Sequence, residues 1–197
     1  IVPIVASIIV GIISGVITGL IISKLKVPAF LAGLGLQLII YGGNLLFMKK
    51  APNNSQPLAG FKESFTKFGT GSVAGVNYLI IVAFVVMIAV YIILNMTTLG
   101  KNIYATGGNR EAAKVAGINV FKIDMFVYIL SGALAALAGC MLAARTGSAN
   151  ATYAEGYEMD AIASCIIGGA SFTGGIGNVP GAFLGVIIFS VISYGLT

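Results

Sequence analysis

The sequence predicts an all-α fold: a polytopic bundle of membrane helices, with a broken or re-entrant glycine-rich segment near its C-terminal end. Three observations carry the prediction. Of 197 residues, 58% are hydrophobic and 9% charged, and the mean hydropathy is +1.02. That balance places most of the chain in lipid rather than in a soluble core. The apolar residues gather into uncharged runs close to the roughly 20 residues that cross a ~30 Å hydrocarbon core. Glycines recur at helical spacing inside those runs, as helix packing in lipid requires.

The elements follow in order. Residues 1–22 form a first span, with Gly11, Gly15 and Gly19 four apart on one face. Small residues so placed let two helix backbones approach closely, a packing signature rather than a functional one. Residues 29–47, 78–96 and 125–143 are three further spans. AIASCIIGG at 161–169 is too short to cross alone. SFTGGIGNVPG then interrupts, and 182–197 begins another apolar helix; Gly181 and Gly185, at its start, repeat the four-residue spacing. Irregular backbone at membrane depth is tolerated only where protein or a cavity surrounds it, hence a broken or re-entrant segment.

Four connections separate the spans: 23–28, a polar loop over 48–77, 97–124 and 144–160. Alternation puts the first and third on one side, holding six of the 11 Lys and Arg residues, and the other two opposite, holding five. The positive-inside bias and the acids of 144–160 (Glu155, Glu158 and Asp160) lean 97–124 inward. The net charge of +5 resides mainly in these connections, where lipid headgroups account for it and nucleic acid does not. Asp160 is placed to N-cap the helix that follows.

Much chemistry is excluded. There is no histidine, so the usual general base and the commonest metal ligand are missing, and Cys140 and Cys165 form no CxxC pair. No GxxxxGK[ST] loop is present, and Gly175-x-Gly177-x-x-Pro180 spoils the dinucleotide pattern, so no nucleotide or metal cofactor is expected on this chain. The apolar segments contain no Asp, Glu, Lys or Arg, which weakens an ion-coupled secondary transporter. Sodium held by backbone carbonyls at the glycine-rich break, or a channel lined by it, keeps those alternatives open.

GGNREAAKVAGIN at 107–119 is out of character. Asn109 can N-cap a helix, Glu111 suits its first turn, and Gly117 suits the C′ position, followed by apolar Ile118. About two turns result, too few to be stable alone in water. Such a helix docks either on the chain's own helix ends or on a partner that receives Ala112, Ala113 and Ala116 with Arg110 and Lys114 beside them; the plainer alternative is a solvated basic loop.

Glu111-Ala112-Ala113-x-x-x-Gly117 resembles the EAA-type coupling segment of ABC-importer permeases. VPAFLAGLG (27–35), LGKNIYATGGNREAAKVAGINV (99–120), SGALAALAG (131–139), ARTGSA (144–149), GYEMDAIA (156–163) and IGGASFTGG (167–175) are similar, in order, to the permeases of bacterial ribose/xylose/galactose-type ABC sugar importers. YGGN (41–44), GFKESFTKF (61–68) and VISYGLT (191–197) resemble the galactose/methyl-galactoside branch. The resemblance covers essentially the whole chain. It implies a single transmembrane permease domain over 1–197, taken from a longer chain whose early N-terminal and last C-terminal helices lie outside it.

It further implies a multi-pass protein of the bacterial inner membrane that works as a homodimer. An extracytoplasmic sugar-binding protein delivers a monosaccharide, and a separate ABC ATPase subunit hydrolyses ATP, so this chain is no enzyme. The resemblance puts 97–124 inside and makes Asn109, Arg110, Glu111, Ala112, Ala113, Lys114 and Gly117 the coupling residues. Ser171, Phe172, Thr173 and Asn178 of the helix break, with Gln37 and Asn44, are candidates for the translocation path or gate. Lys62, Lys67, Glu155 and Glu158 are candidates for contact with the binding protein, against the plainer alternative of a solvated loop. Arg145 is read as an interface residue that snorkels.

Overall fold

A computed structural model describes residues 2–50 and 56–196. Two compact units emerge, 1–81 with 124–154, and 82–123 with 155–197.

The first unit holds α1 (Val2–Leu25), α2 (Ala29–Lys50) and most of α7 (Val120–Thr146). Gly11, Gly15 and Gly19 are buried on α1. A Cβ at Gly11 would strike the Gly132 carbonyl, one at Gly15 the Tyr128 carbonyl, and one at Gly19 would come within 2.9 Å of Met125 Sδ. The glycine face of α1 therefore lies directly against α7, as the spacing predicts. α1 and α2 adjoin across a connection in which Lys26 takes φ +56°. Pro28 bars the first helix from continuing.

Each of these helices outruns its apolar stretch. α2 extends to Lys49 and Lys50, and α7 starts at Val120, where the Asn119 carboxamide accepts the Lys122 amide at 3.1 Å. Hydropathy marks only the lipid-immersed part, whereas caps and flexible lysines carry a helix into the interface.

The 48–77 connection, expected as a polar loop, is largely folded, and 51–55 lie outside the described residues. β1 (Leu58–Ala59) pairs antiparallel with β4 (Ser148–Ala149), joining the segments that follow α2 and α7. α3 (Glu63–Thr70) packs Gly69 onto the backbone of Ala144 and Arg145, where Ala144 is fully buried. β2 (Ser72–Val73) and β3 (Val76–Asn77) form a hairpin whose turn residues, Ala74 and Gly75, both have positive φ. That geometry suits a two-residue turn matched to strand twist. Phe61, Phe65 and Phe68 recur at helical spacing, the signal in this segment that points to α3.

The second unit holds α4 (Tyr78–Met96) from Val82 onward, α5 (Thr98–Gly108), α6 (Arg110–Val115), α8 (Tyr157–Ile167) and α9 (Val179–Gly195). α8 and α9 form a tight pair. A Cβ at Gly168 would meet the Gly181 carbonyl, and one at Gly185 the Ser164 carbonyl. α8 has 11 residues, about 16 Å of rise, roughly half the hydrocarbon core. The break is therefore real, and it occupies residues 168–178.

Asp160 does not cap α8. Gly156, at φ +90°, is the N-cap, and its carbonyl accepts the amides of Met159 and Asp160. A left-handed glycine turns the chain four residues earlier than a side-chain cap at Asp160 would, and Glu158 and Asp160 fall in the first turn, where the helix dipole favours acids.

Among the described residues, α1, α2, α4 and α7 are long and apolar enough to cross a membrane, and α9 is a shorter apolar helix. The side chains facing outward from α4 are almost wholly apolar, with Phe84, Val85, Ile88 and Ile92 all exposed. In water such a surface would be a serious liability, and in lipid it is the ordinary solvent-facing side.

Candidate functional site

The charged segment folds as a compact two-helix unit. α4 ends at Met96 and the chain turns at Thr97, whose hydroxyl donates to the Ile93 carbonyl at 2.6 Å and accepts the Gly100 amide at 3.2 Å. A Cβ at Gly100 would collide with the Ile93 and Leu94 carbonyls, so the tight turn requires glycine there.

Asn109 alone separates α5 from α6 and serves both. Its amide donates to Ala105 at the end of α5, and its side-chain oxygen accepts the amides of Glu111 at 3.1 Å and Ala112 at 3.0 Å. α6 ends in a Schellman motif. The Gly117 amide donates to Lys114 and the Ile118 amide to Ala113, both at 3.0 Å, with Gly117 at φ +83°. Both caps read from the sequence are thus in place, and each satisfies backbone groups that so short a helix would otherwise expose. Inside this frame Lys114 Nζ sits 2.7 Å from Glu111 Oε1, with both side chains largely exposed.

α6 is two-faced. Ala113 is buried at 3% exposure, while Val115 is 91% exposed and Arg110, Glu111, Ala112, Lys114 and Ala116 also face outward. One alanine seats the helix on its own unit, and the other side presents mixed charge and one apolar side chain. Such a surface suits a protein partner better than lipid.

α5 meets the helix break. The Tyr104 hydroxyl donates to the Gly177 carbonyl at 2.9 Å. A Cβ at Gly107 would lie 2.5 Å from the Gly175 amide nitrogen, and one at Gly175 would lie 2.6 Å from Gly108 Cα. The two backbones touch with no side chain between them. On the same helix the Thr106 hydroxyl is buried and finds no hydrogen-bond partner among the described residues. Met87, Ile88 and Tyr91 of α4 line one groove with Val179, Pro180, Phe183 and Leu184 of α9, and the Phe84 and Phe183 rings lie 5.4 Å apart. α9 therefore starts beside the end of α4 from which α5 departs, and residues 168–178 sit at that same end of the unit. Sequence reasoning missed this contact, because the glycine pairs at 107–108 and 174–175 gave no sign that they face each other.

The other candidate residues lie as follows. Ser171 and Thr173 bond to each other at 2.8 Å, the Ser171 amide donates to the Ile176 carbonyl at 2.9 Å, and Phe172 is exposed. Asn178 N-caps α9, accepting the Gly181 amide. In the first unit Gln37 and Asn44 sit two turns apart on one face of α2, with Tyr41 between them. Lys62 immediately precedes α3, and Lys67 pairs loosely with Glu63 at 3.9 Å. Glu155 and Glu158 flank the Gly156 turn of the second unit. Among the described residues no group of three or more His, Cys, Asp or Glu could hold a metal ion.

Four membrane-length helices, a broken helix pair and a capped, outward-facing surface helix define the class: a polytopic helical membrane protein. Residues 1–197 match the family model described as branched-chain amino acid transport system / permease component. The chain belongs to that family of transport-system permeases. It is 43% identical to the galactose/methyl galactoside import permease protein MglC of Haemophilus influenzae over 181 residues, 90% of this chain and 53% of the relative. Against MglC of Escherichia coli K12 the identity is 44% over the same share of each chain. Against the ribose import permease protein RbsC of Escherichia coli K12 it is 40% over 179 residues, 89% of this chain and 54% of the relative. The chain spans about half the length of the curated relatives it matches. No solved structure matches it.

Proposed function

We propose that this chain forms part of the transmembrane permease subunit of an ATP-driven monosaccharide importer in the bacterial inner membrane. The sugar class is galactose and methyl galactoside, or a ribose-like pentose. The observation that carries the proposal is identity above 40% to a galactose-type permease across nine-tenths of the chain, which includes the capped helix α6. The family's printed description concerns amino acids, so the family alone does not fix the cargo. The sugar assignment rests on the nearer relatives.

In this reading α6 docks on a separate ATPase subunit through Arg110, Glu111, Ala112, Lys114 and the exposed Val115. Asn109, Ala113 and Gly117 hold its shape. ATP is bound and hydrolysed on that subunit, and this chain carries no cofactor. The connection 97–119 then faces the cytoplasm and 56–77 faces outward. A soluble binding protein docks through Lys62 and Lys67, and Glu155 and Glu158 are further contacts for it. Two copies of the permease form the path. Gln37, Asn44, Ser171, Phe172, Thr173 and Asn178 supply its polar and aromatic lining, with sugar affinity residing in the binding protein.

The test is capture of the ATPase subunit by the full-length membrane protein, comparing wild type with Glu111→Lys and Gly117→Leu after both insert normally. Capture by wild type and its loss in both variants is the expected result, followed by ATP-dependent galactose or ribose uptake. Absence of capture by wild type, or equal capture by the variants, overturns the docking role of α6.

A further inference from the structure

We propose that Tyr104 and the facing glycine pairs Gly107–Gly108 and Gly174–Gly175 form the joint through which movement of the docking helix reaches the α8–α9 pair. The inference rests on the reading of α6 as the ATPase contact. It adds a route that the reading does not contain: across the fold, from α5 to residues 168–178, rather than along the chain into α7.

Three observations carry it. The first is geometry. Only Asn109 separates α5 from α6, and that residue caps both helices, so α6 cannot tilt without moving the end of α5. The second is stiffness at the contact. At Gly107 and Gly175 backbone meets backbone with no room for a Cβ, so no flexible side chain is present to absorb a displacement. Close-packed contacts of this kind pass on a shift rather than dissipate it. The Tyr104–Gly177 hydrogen bond adds direction, because it pulls the break when α5 withdraws, whereas the glycine contact can only push.

The third observation is the receiving element. Residues 168–170 bond back to the end of α8, residues 171–176 are held by their own turn bonds, and Gly169, Gly174, Gly175 and Gly177 are all at positive φ. They continue directly into α9, whose first turn is capped by Asn178. A displacement arriving at Gly177 thus reaches the N-cap of this apolar helix at the next residue and its first turn two residues on. The buried Thr106 hydroxyl, without a partner among the described residues, fits a joint with a second seating, since unsatisfied buried donors are rare in a single settled arrangement. Tyr104 is a positioning residue in this scheme, touching neither sugar nor ATP.

The experiment uses the full-length permease with its ATPase and binding protein, reconstituted in lipid vesicles, and reads sugar moved per ATP hydrolysed. Tyr104→Phe removes one hydroxyl and leaves the ring. Gly175→Ala forces the joint apart, and Gly139→Ala, at an open position on α7, is the control. The expected result is unchanged ATPase capture with a fall of about threefold to tenfold in sugar per ATP for Tyr104→Phe, the scale of a single lost hydrogen bond. A larger fall is expected for Gly175→Ala, and none for the control. A merely structural role would lower transport and hydrolysis by one common factor and leave the ratio fixed. That outcome for Tyr104→Phe, or a wild-type ratio, overturns the joint whether or not Gly175→Ala folds. Failure of wild type to capture the ATPase at all overturns the importer reading instead, and the joint with it.

Discussion

The Ser23 hydroxyl donates to Asp124 Oδ2 at 3.1 Å, tying the end of α1 to the first turns of α7 across 101 positions of sequence. Asp124 is only 8% exposed, and a buried carboxylate holds its place only when hydrogen-bonded or paired. Asp124→Ala is therefore expected to lower stability by about 1.5–3 kcal/mol and Ser23→Ala by about 1 kcal/mol. A double-mutant cycle in detergent unfolding should show coupling between the two positions. Strictly additive effects would mean that Ser23 is a bystander.

Helix contacts made through glycine should respond to single methyl groups. Gly132→Ala places a Cβ against the Gly11 carbonyl, whereas Gly139→Ala, two turns along the same helix, meets nothing within 4 Å. We expect the first to destabilise by about 1–3 kcal/mol through overpacking and the second to be neutral or slightly stabilising through helix propensity. Thermal unfolding of the two variants side by side checks this. Equal responses would show that the α1–α7 contact is looser than the structure has it.

The caps of α6 make a graded series possible. Asn109→Ala removes the acceptor for two amides and is expected to cost about 1 kcal/mol of local helix stability. ATPase binding should weaken by about fivefold if the helix must be formed in order to dock. Asn109→Ser, which restores an acceptor, should recover most of that loss in the same titration. A Ser variant as weak as Ala would argue that the carboxamide contacts the partner directly.

Asn178 separates two roles cleanly. As the N-cap of α9 it should tolerate Ser or Asp, and Asn178→Ala should cost about 1 kcal/mol of stability. As a lining residue it should change transport even where stability is retained. Sugar uptake by the Ser variant, normalised to folded protein, decides between them.

The sequence revealed the parts whose causes are local. Long uncharged runs disclose α1, α2, α4 and α7 because twenty apolar residues in a row have one ready solvent. Asn109 and Gly117 disclose α6 because capping acts within four residues of the helix end. α3 was legible in principle from Phe61, Phe65 and Phe68, but lysines around it read as a solvated loop. β1 and β4 were not legible, since strands of two residues carry no periodicity and pair across the whole intervening fold. Asp160 looked like a cap, and the left-handed turn at Gly156 outranked it. The α5 contact with 174–177 lay beyond reach for the same reason as the strand pair. A glycine needed for clearance looks identical to one needed for φ until its neighbour is known.

That clearance has a consequence for inheritance. Gly107 and Gly175 leave no room for a side chain at either position although nearly seventy positions lie between them, so neither can be made bulkier alone. A chimera that takes 97–119 from another permease carries only half of a fitted surface. It should work when 168–178 travels with it and fail when the two come from different parents. In this protein the exchangeable module is discontinuous in the gene and continuous in space.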